Sequence, residues 1–160
     1  ATFRLGQTST TGDPEGEIMP YVANSKPQND TQVSSISKQP DIAVVKSVLA
    51  QFVGDIKQCP PAFSAIKING QRAYKLARSG KKVDIPERTV TIYALELLDY
   101  AYPLLKVRAH VSSGTYIRSL AVDVGEALGT GAYCQELRRT QIADWQVSQA
   151  QKLADFGIES

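Results

Sequence analysis

The stretch from Leu105 to Leu128 constrains the fold more than any other. Leu105, Val107, Ala109 and Val111 alternate with Lys106, Arg108 and His110, the period-two pattern of a half-buried antiparallel strand. Ser112-Ser113-Gly114-Thr115 then makes a sharp transition into a segment whose apolar residues, Ile117, Leu120, Ala121, Val124 and Leu128, follow helical spacing, and Gly129 closes it. His110 falls on the polar side of the alternation and reads as a surface histidine.

The rest of the chain fits the same architecture. Thr2–Leu5 reads as a strand, Gly6–Gly16 as a Gly/Thr/Ser/Asp/Pro-rich turn, and Glu17–Val22 as strand again. Residues 23–40 are Ser, Gln, Asn and Lys with little apolar content, a composition expected of a mobile polar insert. Asp41 can cap a helix carrying Ile42, Val45, Leu49 and Phe52, with Gly54 ending it. Cys59-Pro60-Pro61-Ala62-Phe63 reads as an extended connector, and a short strand or loop leads to Asn69-Gly70. A short helix is expected over Gln71–Ser79, capped by Gly80, then a Val/Ile/Thr/Tyr-rich strand over Thr89–Leu98. Residues 132–142 read as strand or mixed structure, with a short helix near Lys152–Phe156. Strands interleaved unevenly with helices favour an α+β fold, a mixed and largely antiparallel sheet flanked by helices.

With 160 residues, 42% of them hydrophobic and 21% charged, the chain suits one soluble domain with a real core. No apolar run approaches the roughly 18 residues of a membrane span. Two distant cysteines, Cys59 and Cys134, and a single histidine argue against a zinc site. They read as free thiols in a reducing compartment. Of the 18 Lys and Arg residues, Lys57, Lys67, Arg72, Lys75, Arg78, Lys81 and Lys82 lie between Ile56 and Val83, a stretch with no Asp or Glu. Such local asymmetry suits either a solvated basic face or contact with a phosphate backbone.

Three blocks go beyond generic patterning. The first is Arg4-Leu5-Gly6-Gln7 followed by Thr11-Gly12-Asp13-Pro14-Glu15-Gly16. The second runs from Pro60 through Lys67-Ile68-Asn69-Gly70-Gln71-Arg72 to Gly80. The third is Ser113-Gly114-Thr115-Tyr116-Ile117-Arg118 through Gly129, continuing to Leu137-Arg138-Arg139-Thr140. Their order and spacing resemble the TruB family of tRNA pseudouridine synthases over nearly the whole chain except the polar insert.

That resemblance implies an incomplete pseudouridine synthase fold over residues 1–160, with a basic RNA-gripping insertion at about 57–88. It implies an isomerase that converts uridine to pseudouridine at position 55 in the TΨC loop of tRNA, with no cofactor and no metal. An aspartate attacks the target nucleotide, the glycosidic bond breaks, and the base re-attaches through carbon. The base must first leave the loop stack for a pocket. By resemblance, Tyr116 lines that pocket, Arg118 pairs with the nucleophilic aspartate, and Leu137 is the apolar wall. Lys67, Arg72, Lys75, Arg78, Lys81 and Lys82 suit phosphate contacts with the tRNA T-arm. Phe63 and Tyr74 either anchor the insertion or pack on RNA.

Read locally, Tyr116 also fits a first-turn core aromatic and Arg118 a surface arginine. Both sit where a strand turns into a helix, a place that favours a negative group. Asp13, in a turn, and Asp123, on the polar side of a helix, are poorly placed as nucleophiles. In the family the attacking aspartate precedes the block that begins here, so this chain by itself is expected to be inactive, with Arg118 facing an unfilled site. A monomeric cytoplasmic protein is expected. The rival reading is a non-catalytic RNA-binding fragment or paralogue.

Overall fold

A computed structural model describes residues 1–22, 39–61, 64, 67–68, 71–72 and 85–151. Residues 23–38 of the polar insert at 23–40, the basic residues Lys75, Arg78, Lys81 and Lys82, the aromatics Phe63 and Tyr74, and the expected helix at Lys152–Phe156 lie outside the described residues.

Eleven strands and two α-helices are described. A five-stranded antiparallel sheet, ordered β4-β7-β8-β1-β9, organises them. Its strands are β1 (Thr2–Leu5), β4 (Gly54–Gln58), β7 (Arg88–Ala101), β8 (Leu104–Val111) and β9 (Ala132–Glu136). Helix α1 (Ile42–Gln51) and helix α2 (Ile117–Ala127) share one core with it. Phe3 and Leu5 of β1, Ile92 of β7, and Leu105 and Val107 of β8 meet Val45 and Leu49 of α1 and Leu120, Ala121 and Val124 of α2. The alternation read in β8 is therefore real: Leu105 and Val107 are wholly buried, while Lys106, Arg108 and His110 face solvent. His110 packs its ring on exposed Tyr93, centroids 4.9 Å apart.

Asp41 caps α1 as its position implies, accepting a hydrogen bond from the Ala43 amide at 2.8 Å. Pro40, at the end of the polar segment, is buried, and its carbonyl accepts from the Tyr100 hydroxyl at 2.7 Å. Helix α2 lies so close to β9 that a Cβ at Gly125 would overlap the Ala132 backbone. Only glycine allows that approach.

Three expectations change. The turn between the first strands contains a strand, β2 (Gln7–Ser9), paired with β3 (Ile18–Pro20). Helix α1 ends at Gln51, with Phe52 as its C-cap, and not at Gly54, which starts β4, whose Lys57 and Gln58 pair with Thr89 and Arg88 of β7. Lys57 thus belongs to the main sheet. The helix expected from Gln71 does not begin there, because Gln71–Arg72 (β6) pair with Lys67–Ile68 (β5) across Asn69-Gly70 in sequence, the commonest hairpin dipeptide. Beyond β9, β10 (Gln141–Ile142) and β11 (Trp145–Gln146) pair Ile142 with Trp145, both exposed.

Asp123 is half-buried on α2, and burial, with Glu126 nearby, pushes its carboxyl up to about 6. A folded-state value above the unfolded one of about 3.9 means that folding favours the protonated form. Its contribution is intact below about pH 4 and is lost as pH rises through 6. Asp123→Asn should therefore raise the melting temperature at pH 7.5 and leave it unchanged at pH 4. Thermal melts at the two pH values check this.

Candidate active site

The β2–β3 turn and the first turn of α2 converge on one ion pair. Arg118, the second residue of α2, donates from Nη1 to Asp13 Oδ2 at 2.7 Å and to the Thr11 carbonyl at 3.3 Å. Only 24% of the Arg118 side chain and 19% of the Asp13 side chain are exposed, so water screens the pair weakly. Asp13 Oδ1 accepts from the Thr11 hydroxyl at 2.6 Å and from the Glu15 amide at 3.1 Å. Burial alone would raise the Asp13 carboxyl. The bonds from Thr11, Arg118 and the Glu15 amide outweigh it and hold the carboxyl below its ordinary value.

Packing fixes the turn that carries Asp13. A Cβ on Gly16 would strike Ser9 Oγ, Thr11 Oγ1 and the Thr11 amide. The Gly12 carbonyl accepts from the Cys134 amide at 2.9 Å, tying the turn to β9.

An open cavity of about 270 Å³ lies beside the pair, lined by Asp13, Pro14, Glu15, Arg118, Cys134, Gln135 and Leu137. Leu137 is 57% exposed and supplies an apolar wall. Burial pushes the Cys134 thiol up, so that wall carries a neutral thiol at neutral pH. Both cysteines are free.

Of the three pocket residues expected, the structure brings Arg118 and Leu137 to this cavity and does not bring Tyr116. Tyr116 instead precedes α2, and its backbone is held by Gln58 of β4. The Tyr116 amide donates to Gln58 Oε1 at 2.8 Å, and Gln58 Nε2 donates to the Tyr116 carbonyl at 3.1 Å. Gln58 is 1% exposed. Ser119 adds a bond to the Cys59 carbonyl at 2.9 Å. Nor does Arg118 face an unfilled site; Asp13 occupies its Nη1 side. Asp13, set aside as a nucleophile, is the arginine's partner, and Gln58 positions the helix start. Lys67 and Arg72 fall on β5 and β6. Among the described residues, no group of His, Cys, Asp and Glu could hold a metal ion.

Solved structures share this fold. A Cbf5-Nop10-Gar1 complex matches with a TM-score of 0.55 and 32% identity, over 68% of this chain and 28% of that one. An H/ACA RNP bound to a substrate RNA containing 2'-deoxyuridine matches at 0.52 and 26%, over 75% of this chain and 33% of that one. The fold is of the pseudouridine synthase class. Residues 1–117 match the TruB family pseudouridylate synthase N-terminal domain, and residues 118–158 the tRNA pseudouridylate synthase B C-terminal domain. The chain belongs to the TruB family. It is 44% identical over 99% of its length to tRNA pseudouridine synthase B of Francisella tularensis subsp. novicida (strain U112), and 43% identical to that of Francisella philomiragia subsp. philomiragia. The chain spans about half the length of these relatives.

Proposed function

We propose that this chain forms the Arg118 side of the catalytic centre of a tRNA pseudouridine synthase that isomerises uridine in the TΨC loop. The observation that carries this reading is the weakly screened Arg118–Asp13 pair at the edge of a cavity walled by Leu137. Asp13 does not suit attack, because Oδ1 takes two hydrogen bonds and Oδ2 takes Arg118. Its role is to anchor the arginine. The guanidinium is a rigid planar fork, so fixing Nη1 fixes the direction of the whole group toward the attacking aspartate of the family's reaction. That aspartate is thereby kept ionised and oriented. Leu137 gives the extruded base an apolar surface.

The basic stretch from Lys67 to Lys82 grips the T-arm by its phosphates. The test joins this chain to the preceding segment of its relatives and assays pseudouridine in an unmodified tRNA transcript. Conversion supports the reading, and its absence in a folded, tRNA-binding protein overturns it. In the same protein, charge reversal at Arg78, Lys81 and Lys82 should weaken binding to a T-arm hairpin and flatten its salt dependence by about one unit of log–log slope per lost contact. Unchanged binding across a salt titration would remove the gripping role.

A further inference from the structure

Thr11 touches both halves of the ion pair. Its hydroxyl donates to Asp13 Oδ1 at 2.6 Å, and its carbonyl accepts from Arg118 Nη1 at 3.3 Å. We propose that Thr11 is a positioning residue for the isomerisation: it fixes the plane of the Asp13 carboxylate and, through it, the direction of the Arg118 guanidinium. This rests on the catalytic reading of Arg118 given above.

The physical reason lies in how the carboxylate's oxygens are divided. The Cβ–Cγ torsion of an aspartate is broad, so one contact to Arg118 would leave the group free to swing. The Thr11 hydroxyl and the Glu15 amide both bond Oδ1, which leaves Oδ2 aimed at Arg118. The hydroxyl is itself preset. Ser9 Oγ lies 3.3 Å from Thr11 Oγ1, accepts from the Thr11 amide at 3.3 Å, and bonds the Asp13 carbonyl. Gly16 packs against Ser9 Oγ and Thr11 Oγ1 with no room for a side chain. The charged and titratable groups bearing on Asp13 are Arg118 from α2, Cys134 from β9 and Glu15 in its own turn.

The test uses the extended, active protein with Thr11→Val, which keeps the branched shape and the carbonyl but loses the hydroxyl, and Thr11→Ser, which keeps the hydroxyl. Thr11→Val should lower kcat roughly ten-fold with KM for tRNA within about two-fold, because Arg118 is misaimed rather than lost. The acid limb of the pH–rate profile should move to higher pH, since Asp13 loses a bond that favours its charged form. Thr11→Ser should restore both. Should Thr11→Val not fold, Thr11→Ala removes the same hydroxyl without crowding and is read in the same way.

A wild-type kcat and acid limb in the hydroxyl-less variant would overturn the proposal. So would equal losses in the Val and Ser variants with matching drops in melting temperature, the mark of a turn that is only structural. Asp13→Asn, assayed alongside, separates the two levels. If it is slow while Thr11→Val is normal, only the Thr11 role falls. If it too is fully active, the anchoring reading of Asp13 and Arg118 falls.

Discussion

Asp13→Asn in the extended protein is expected to slow single-turnover pseudouridine formation about a hundred-fold while leaving tRNA affinity within about two-fold. Asparagine is nearly isosteric, and its carbonyl oxygen can still accept from Thr11 and the Glu15 amide. The amide nitrogen then faces Arg118 Nη1, donor against donor, where a 2.7 Å charge-assisted bond stood. A guanidinium displaced by an ångström loses most of its worth to an attacking carboxylate. Removing the nucleophile itself would leave no turnover, so a slow but measurable rate separates an anchor from an attacker.

The same substitution should cost about 1–2 kcal/mol of stability at neutral pH, below the range for fully buried pairs because both side chains retain some exposure. Asp13 titrates below its ordinary value in the folded state. Its stabilisation is therefore present above the unfolded value of about 3.9 and is lost as pH falls through the lower folded value. The gap between wild type and variant should close in acid. Arg118→Met, combined with Asp13→Asn in a double-mutant cycle, should give much less than the sum of the single losses.

What the sequence made legible was the part written in local periodicity. Leu105 to Val111 and Ile117 to Leu128 carry their burial pattern in consecutive residues, so β8 and α2 could be placed before any partner was known. Asp41 likewise announced the start of α1. Strand β4 has one central apolar residue, Ile56, between Asp55 and Lys57. It is a strand because β7 pairs with it thirty or more positions later, and no local signal records that. At Gln71–Arg72 the Asn69-Gly70 dipeptide between two short runs was the stronger local signal, and it marks the hairpin that the helical reading of Gln71 passed over. Arg118 and Leu137 were reachable through the family motif. Asp13 stood in the same motif set, but its partner is 105 residues away, and a turn aspartate looks the same whether or not an arginine meets it.

Gln58 is the extreme of that blindness, and its removal should give the largest loss of stability. Gln58→Leu keeps the volume of a 1% exposed side chain but strips both bonds to the Tyr116 backbone. The Tyr116 carbonyl still accepts from the Leu120 amide at 3.0 Å. The Tyr116 amide, ahead of a helix with no side-chain cap, loses the partner it has in Gln58. An orphaned, partly buried amide and two lost hydrogen bonds amount to roughly 2–3 kcal/mol, or a fall in melting temperature of about 5–10 °C. Gln58→Glu makes the mechanism visible. A protonated carboxyl can both accept from the Tyr116 amide and donate to its carbonyl, whereas the buried carboxylate can only accept. Burial raises the folded-state value of that carboxyl above the unfolded one of about 4.3. The Glu variant should thus approach wild-type stability below about pH 4 and lose it as pH rises, while the Leu variant stays low throughout. If the Leu variant melts with wild type, or the two variants share one pH profile, the Gln58 bonds do not hold the start of α2, and Arg118 owes its place to packing alone.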